Sequence, residues 1–182
     1  MRVVELVFAV VWAAFWAYWI VAAFSMKRGR VAWSRELGVR VVIAAIVLLL
    51  FRLGAFRDSG LTTAPWRAAI GLVLLVVGLG FAVWARRVLG RNWGMPMTER
   101  DTPELVTGGP YRLVRHPIYS GILLATVGTA IALDWTWLLA VLMAGIYFIY
   151  SATVEERYLA EHFPDTYPAY QRTSKMLVPY VF

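Results

Sequence analysis

The chain has 182 residues, of which 60% are hydrophobic and 16% charged, and its mean hydropathy is +0.64. Soluble domains carry about 45–50% apolar and about 25% charged residues, so this composition marks an integral membrane protein. The sequence holds no cysteine, which excludes disulfides and thiolate metal sites, and its net charge of +7 is spread over membrane-proximal loops, where topology and anionic lipid explain it better than nucleic acid does.

Five apolar segments follow in chain order, at about 3–24, 39–56, 65–85, 118–133 and 135–154. The first, third and fifth approach the roughly 20 residues that cross a hydrocarbon core. The first is too long for the apolar core of a signal peptide, and its basic cluster Lys27, Arg28 and Arg30 follows it rather than preceding it, so it is expected to be a retained helix. The second carries Arg52, which snorkels to the interface. The fourth is short and is separated from the fifth by Asp134, a spacing that predicts a tight helical hairpin. With five crossings, the loops at 27–40 and 86–117 and the C-terminal tail share one face and hold most of the 18 Lys and Arg, leaving Arg2, Arg52, Arg57 and Arg67 on the other. The positive-inside rule then predicts an all-α polytopic membrane protein with its N-terminus outside and its C-terminus in the cytoplasm. It reads as one domain: a three-helix membrane part over 1–85 and a core over 86–182. Trp12, Trp16, Tyr18, Trp19, Trp33, Trp66 and Trp84 read as interface anchors or packing groups, and Gly71, Gly78 and Gly80 as sites of close helix approach.

The loop at 86–117 is too long for a plain connector. Gly90, Gly94, Pro96, Pro103, Gly108, Gly109 and Pro110 break it into turns, and it is expected to fold over a ligand. It ends on Arg115-His116-Pro117, which reads as an N-cap followed by proline at the first helical position. The N–H groups of Ile118, Tyr119 and Ser120, with Arg115 and His116 beside them, form a place for an anionic group. Glu155 and Glu156 fall at the cytoplasmic end of the fifth segment, where the helix dipole opposes them, so a cationic ligand or a pairing arginine is expected there. That helix is expected to continue to about Phe163 and to stop at Pro164, and the tail with Tyr167, Tyr170, Pro179 and Tyr180 reads as an amphipathic stretch at the interface. Donors for a carboxylate, acidic groups for a cation and the rings of Trp93, Tyr111 and Tyr119 together match S-adenosylmethionine, which has an amino-acid head, a sulfonium and an adenine. The plainer alternative is a cap at His116, topogenic charge at Arg115, and glutamates that are solvated or paired with Arg86, Arg87, Arg112 or Arg115.

The run Leu105-Val106-Thr107-Gly108-Gly109-Pro110-Tyr111-Arg112-Leu113-Val114-Arg115-His116-Pro117-Ile118-Tyr119-Ser120-Gly121 resembles the signature of the isoprenylcysteine carboxyl methyltransferase family, which is itself similar to the phospholipid N-methyltransferases. Glu155-Glu156 followed by Phe163, Tyr167 and Tyr170 resembles that family's second signature, and Arg91-Asn92-Trp93 its segment ahead of the loop. The sequence departs from the pattern at Pro164, Pro168 and Ser151, the last standing where eukaryotic prenylcysteine enzymes carry arginine. The resemblance implies an S-adenosylmethionine-dependent methyltransferase that releases S-adenosylhomocysteine. Its implied cofactor contacts are Glu104, Leu105, Val106, Tyr111, His116, Pro117, Ile118 and Tyr119. Arg115, Glu155 and Glu156 are the candidate catalytic groups, and no metal is expected. The expected acceptor is lipophilic, either the carboxylate of a prenylcysteine-like or isoprenoid molecule or a lipid head group, methylated on the cytoplasmic face of a prokaryotic inner or plasma membrane. The rival readings are a reductase relative with a nicotinamide cofactor and a non-catalytic membrane scaffold.

Overall fold

Proline opens two of the long apolar segments, Pro65 and Pro117, and each begins a helix at the position where a missing N–H costs nothing. The computed structural model describes residues 2–23, 29–31, 64–92, 98–100, 104–134 and 136–182. They form α1 (Arg2–Ala23), β1 (Gly29–Val31), α2 (Pro65–Leu89), β2 (Thr98–Arg100), α3 (Pro117–Ala132), α4 (Trp137–His162) and α5 (Tyr167–Thr173), with short 3-10 turns at Gly90–Asn92 and Gly109–Arg112. Among the described residues, Val3–Ala22, α2 and α4 are long and apolar enough to cross a membrane, while α3 is a shorter apolar helix. The expected second segment, Trp33 and Trp93 lie outside the described residues.

The described residues are mainly helical, as the composition predicts, with one small addition among them: β1 and β2 pair antiparallel, Gly29 opposite Arg100 and Val31 opposite Thr98. That ribbon ties the long loop to the segment that follows α1. The third apolar segment also runs further than its hydropathy indicates. Helix α2 continues through Arg86 and Arg87 to Leu89, because Arg86, only 3% exposed, folds back on the helix ends. One guanidinium nitrogen donates to the Gly90 carbonyl and another to that of Ala22, each at 2.7 Å. A charge that reads as loop in sequence thus satisfies the C-terminal carbonyls of two helices, which otherwise have no partner in an apolar setting. Arg67 does the same for α3, donating through Nε to the Ile131 carbonyl at 3.0 Å.

Helices α2 and α3 touch backbone to backbone. Gly71 lies against Gly128, and Gly78 against Gly121, so that a Cβ at Gly78 would stand 2.5 Å from the Gly121 carbonyl and 2.6 Å from the Ala125 nitrogen. The two contacts are seven residues apart on each strand of the pair and run in opposite order, which makes the helices antiparallel. Without a hydrophobic difference between side chains and lipid, such close approach is how membrane helices gain contact energy. Gly80, the third glycine expected at this contact, faces open space. Around the pair, Phe8 and Phe15 of α1 pack with Leu75, Leu79, Ala82 and Ala125, and the Trp12 indole donates to Thr129 Oγ1 at 3.1 Å. The opposite faces of α1, α2 and α4 expose Val10, Ile20, Val73, Val77, Leu142 and Ile146, the side chains a bilayer would cover. Helices α3 and α4 follow one another closely, as the hairpin reading expects, and between them Asp134 Oδ1 accepts the Thr136 N–H at 2.7 Å.

Replacement of Gly78 by alanine is expected to destabilise the purified protein by about 1–3 kcal/mol, since its Cβ has to displace main-chain atoms. Gly80→Ala is expected to be neutral or to stabilise by up to about 1 kcal/mol through helix propensity alone. Thermal unfolding of both variants in detergent checks the pair.

Candidate active site

The polar groups singled out in the sequence come from three places in the chain: the turn before α3, the outer half of α4, and the residues after α4. The turn is set by Gly109, whose φ of +60° is open to glycine, and by Pro110 at the start of the 3-10 turn. His116 occupies the N-cap position of α3 and Pro117 its first helical position, as expected, but the imidazole does not cap its own helix. Instead, Ser120 N–H closes the first intrahelical bond to the His116 carbonyl at 3.1 Å, so the N–H groups left at the helix start are those of Ile118 and Tyr119.

The His116 ring turns toward α4 and meets both glutamates. Its Nε2 lies 3.3 Å from Glu156 Oε1 and its Nδ1 lies 3.5 Å from Glu155 Oε2. Arg115 Nε donates to the same Glu156 oxygen at 2.7 Å, and Gln171 Nε2 donates to the other at 3.0 Å. Glu155 Oε1 accepts from the Tyr119 hydroxyl at 2.5 Å and from Ser151 Oγ at 3.3 Å. The rings stack in a row, His116 on Tyr119 at 5.5 Å between centroids and Tyr119 on Phe148 at 4.5 Å, all nearly parallel. The two glutamates differ in access: the Glu156 side chain is 11% exposed and that of Glu155 29%. Glu156 is thus the more enclosed of the two carboxylates, and Glu155 the one more open to solvent.

The location of the pair corrects one expectation. Helix α4 runs on to His162, so Glu155 and Glu156 sit almost two turns inside its end and are not opposed by its dipole. What stabilises them is the surrounding donor set. The structure therefore pairs Glu156 with Arg115, while Arg86, Arg87 and Arg112, also considered as partners, sit on α2 and the 3-10 turn.

The tail after α4 closes the site from outside, a role its sequence did not reveal. Residues 174–177 pass beside the turn before α3, where Val114 and Lys175 form a parallel bridge. Arg115 N–H donates to the Lys175 carbonyl at 2.7 Å and His116 N–H to that of Met176 at 3.1 Å. The Ser120 hydroxyl donates to the Leu177 carbonyl at 2.6 Å, and the Arg115 guanidinium also reaches the carbonyls of Gln171 and Ser174. Tyr170 donates to the Tyr111 carbonyl at 2.6 Å, and its burial pushes its pKa up to about 12, so it stays a donor. Tyr167 is fully buried beneath Glu156 and is likewise raised by burial.

Of the other residues implicated by sequence, Tyr111, Pro117, Ile118 and Tyr119 are buried in or beside one cluster with Phe148, against which Val106 and Leu89 pack. Glu104 is exposed and accepts from Asn92 Nδ2 at 2.6 Å, and Leu105 is half-buried between Glu104 and Val106. Serine at 151, Gln171 and the tail carbonyls were not among the expected site groups. The spacing of Ser151, one turn before Glu155, was the one available signal for it.

A basic turn and a glutamate pair thus meet at one end of an apolar helical bundle. The chain belongs to the phospholipid methyltransferase family, whose model matches residues 66–166. It is 28% identical over 169 residues to a probable protein-S-isoprenylcysteine O-methyltransferase of Oryza sativa subsp. indica, covering 90% of this chain and 88% of that one. It is 31% identical over 147 residues to the cobalt-zinc-cadmium resistance protein CzcN of Cupriavidus metallidurans, covering 79% of this chain but 63% of CzcN. In fold it is similar to the eukaryotic intramembrane Ras methyltransferase ICMT, an isoprenylcysteine carboxyl methyltransferase, with a TM-score of 0.63 at 23% identity over 78% of this chain and 52% of that one.

Burial lowers the affinity of His116 for its proton, but hydrogen bonds and charge from Glu155 and Glu156 outweigh it, and the net shift is upward from 6.5. The groups that face the ring are these two carboxylates, Tyr119 and, through Glu156, Arg115. A raised folded-state pKa means that the imidazolium's contribution to stability is complete below about 6.5 and is lost as pH climbs through the folded value. Melting temperature in detergent is expected to fall over that range above 6.5, and His116→Gln is expected to flatten this part of the profile.

Proposed function

We propose that the protein transfers a methyl group from S-adenosylmethionine to a lipophilic acceptor, at the end of the bundle that faces the cytoplasm. The observation that carries this reading is the meeting of the Arg115-His116 turn with Glu155 and Glu156, four groups from distant parts of the sequence within 3.5 Å of a partner in the set. The donor set fits the nucleoside. The N–H groups of Ile118 and Tyr119 suit a carboxylate, the reachable Glu155 suits an ammonium or sulfonium, and the stacked rings of His116, Tyr119 and Phe148 offer an apolar wall. S-adenosylmethionine supplies an electrophilic methyl carbon and leaves as S-adenosylhomocysteine.

Displacement at that carbon needs alignment more than covalent help, and positioning can provide most of the acceleration. In this reading Arg115 is a positioning residue: it fixes Glu156 and pins residues 171–174 across the site. Glu156 in turn orients His116, whose other nitrogen faces Glu155. Glu155 is the group that touches the acceptor. For an amine, thiol or hydroxyl nucleophile it takes the proton from the attacking atom, and for a carboxylate nucleophile it has no proton to take. The contacts of Glu104, Leu105, Val106, Tyr111, Pro117 and Ile118 with the nucleoside belong to the same proposal. The names of the relatives, a prenylcysteine O-methyltransferase among them, support an acceptor that enters from the bilayer.

Purified protein is expected to bind S-adenosylhomocysteine by calorimetry, with His116→Ala weakening that binding, and to move labelled methyl from S-adenosylmethionine into a lipid extract. Glu155→Gln is expected to weaken nucleoside binding, because its carboxylate no longer meets the ammonium, and to lose about 10²-fold in turnover on an acceptor that must be deprotonated. Binding of NADPH in place of the nucleoside, or no labelled lipid, would overturn the reading.

A further inference from the structure

We propose that Asn92 is a ligand-binding residue, whose side-chain oxygen accepts an N–H or O–H from the bound nucleoside; the inference rests on the methyl-donor reading above. Asn92 ends the 3-10 turn that continues α2 and is 8% exposed. Its Nδ2 donates to Glu104 Oε2 at 2.6 Å. A carboxylate oxygen can only accept, so this bond fixes which end of the amide points where. The oxygen is then forced to the other side, where it lies buried with no hydrogen-bond partner. Buried acceptors are nearly always paired in native proteins, and one that is held in place by its own amide nitrogen and left unpaired asks for a donor from outside the chain.

The surroundings locate that donor. Arg86 clamps the Gly90 carbonyl, and Gly90 adopts a φ of +56°, so the turn that carries Asn92 is held by α2. Leu89, three residues earlier, and Val106, two residues after Glu104, both pack on the cluster that holds Tyr111, Ile118 and Tyr119. The unpaired oxygen is therefore tethered, on both sides of the Asn92–Glu104 bond, to the wall of the candidate site. A residue serving merely to anchor Glu104 would gain nothing by burying a second polar atom.

Asn92→Leu keeps the volume and deletes both polar atoms, and it is compared in wild-type and Glu104→Ala backgrounds, so that a loss of nucleoside affinity that persists without Glu104 reports the oxygen and not the bond from Nδ2. If the oxygen serves a ligand, the ligand-free protein melts in detergent at an unchanged or higher temperature, while the Kd for S-adenosylhomocysteine weakens about tenfold. A Kd within twofold of wild type in the folded variant would overturn the inference and leave the methyl-donor reading standing. Failure of the wild-type protein to bind S-adenosylhomocysteine would overturn both. Should Asn92→Leu not fold, Asn92→Ala carries the same readouts. 5′-Methylthioadenosine, which keeps the ribose and adenine but lacks the amino-acid head, separates the sources of the donor. A similar loss for both ligands assigns the nucleoside's hydroxyls or base, and a loss confined to S-adenosylhomocysteine assigns its ammonium.

Discussion

A carboxylate that has lost most of its contact with water must be met by positive charge and hydrogen bonds, and much of this structure follows from how Glu156 is met. Arg115 reaches it from the turn before α3, His116 from the N-cap of that helix, and Gln171 from α5. Desolvating such an ion costs several kcal/mol, which is offset only when every remaining lone pair finds a donor. The requirement draws three segments to one point, and main-chain bonds between the turn and the tail hold them there. Glu155, one residue earlier on α4, shares His116 but otherwise meets a different set of partners, Tyr119 and Ser151, so two adjacent glutamates have unlike surroundings.

The helix pairing behind the site works on a different principle. Between α2 and α3 the contact is made by atoms every residue has, and glycine matters because it adds nothing. The antiparallel pair at Gly71–Gly128 and Gly78–Gly121 fixes how far α3 can slide along α2, and so where its first turn stands relative to the end of α2. The Tyr111 hydroxyl, 3.5 Å from the Ala85 carbonyl, marks that junction on the side of the loop. Arg86 performs a similar service for α1, whose last turn it holds against α2 through the Ala22 carbonyl.

Much of the membrane architecture was legible because hydropathy and helix signals agree. The apolar runs at 3–24, 65–85, 118–133 and 135–154, Pro65 and Pro117 at helix starts, and Phe163-Pro164 as a stop correspond to helix boundaries within a few residues. Gly71 and Gly78 were readable as contact residues, whereas Gly80, identical in type and two positions away, faces outward, since composition carries no information about azimuth beyond periodicity. In the site, the basic turn and the acidic pair were legible as chemistry that lacks a packing reason. The end of α2 was not, because Arg86 and Arg87 look like loop residues until the carbonyls that Arg86 satisfies are in view. The contacts of the tail with the turn before α3 were not legible for a related reason. Tyr167, Tyr170 and Pro179 have the amphipathic look of a surface segment, and main-chain hydrogen bonds leave no mark on a sequence.

The strip beside the turn before α3 is held by the carbonyls of Lys175, Met176 and Leu177, and every amino acid offers a carbonyl. Such contacts constrain the course and length of the strip, while its letters matter where Leu177 and Met176 pack into the cluster around Tyr119 and Phe148. A substitution at Lys175 that keeps the backbone path therefore leaves the same belt of carbonyls across the mouth of the site.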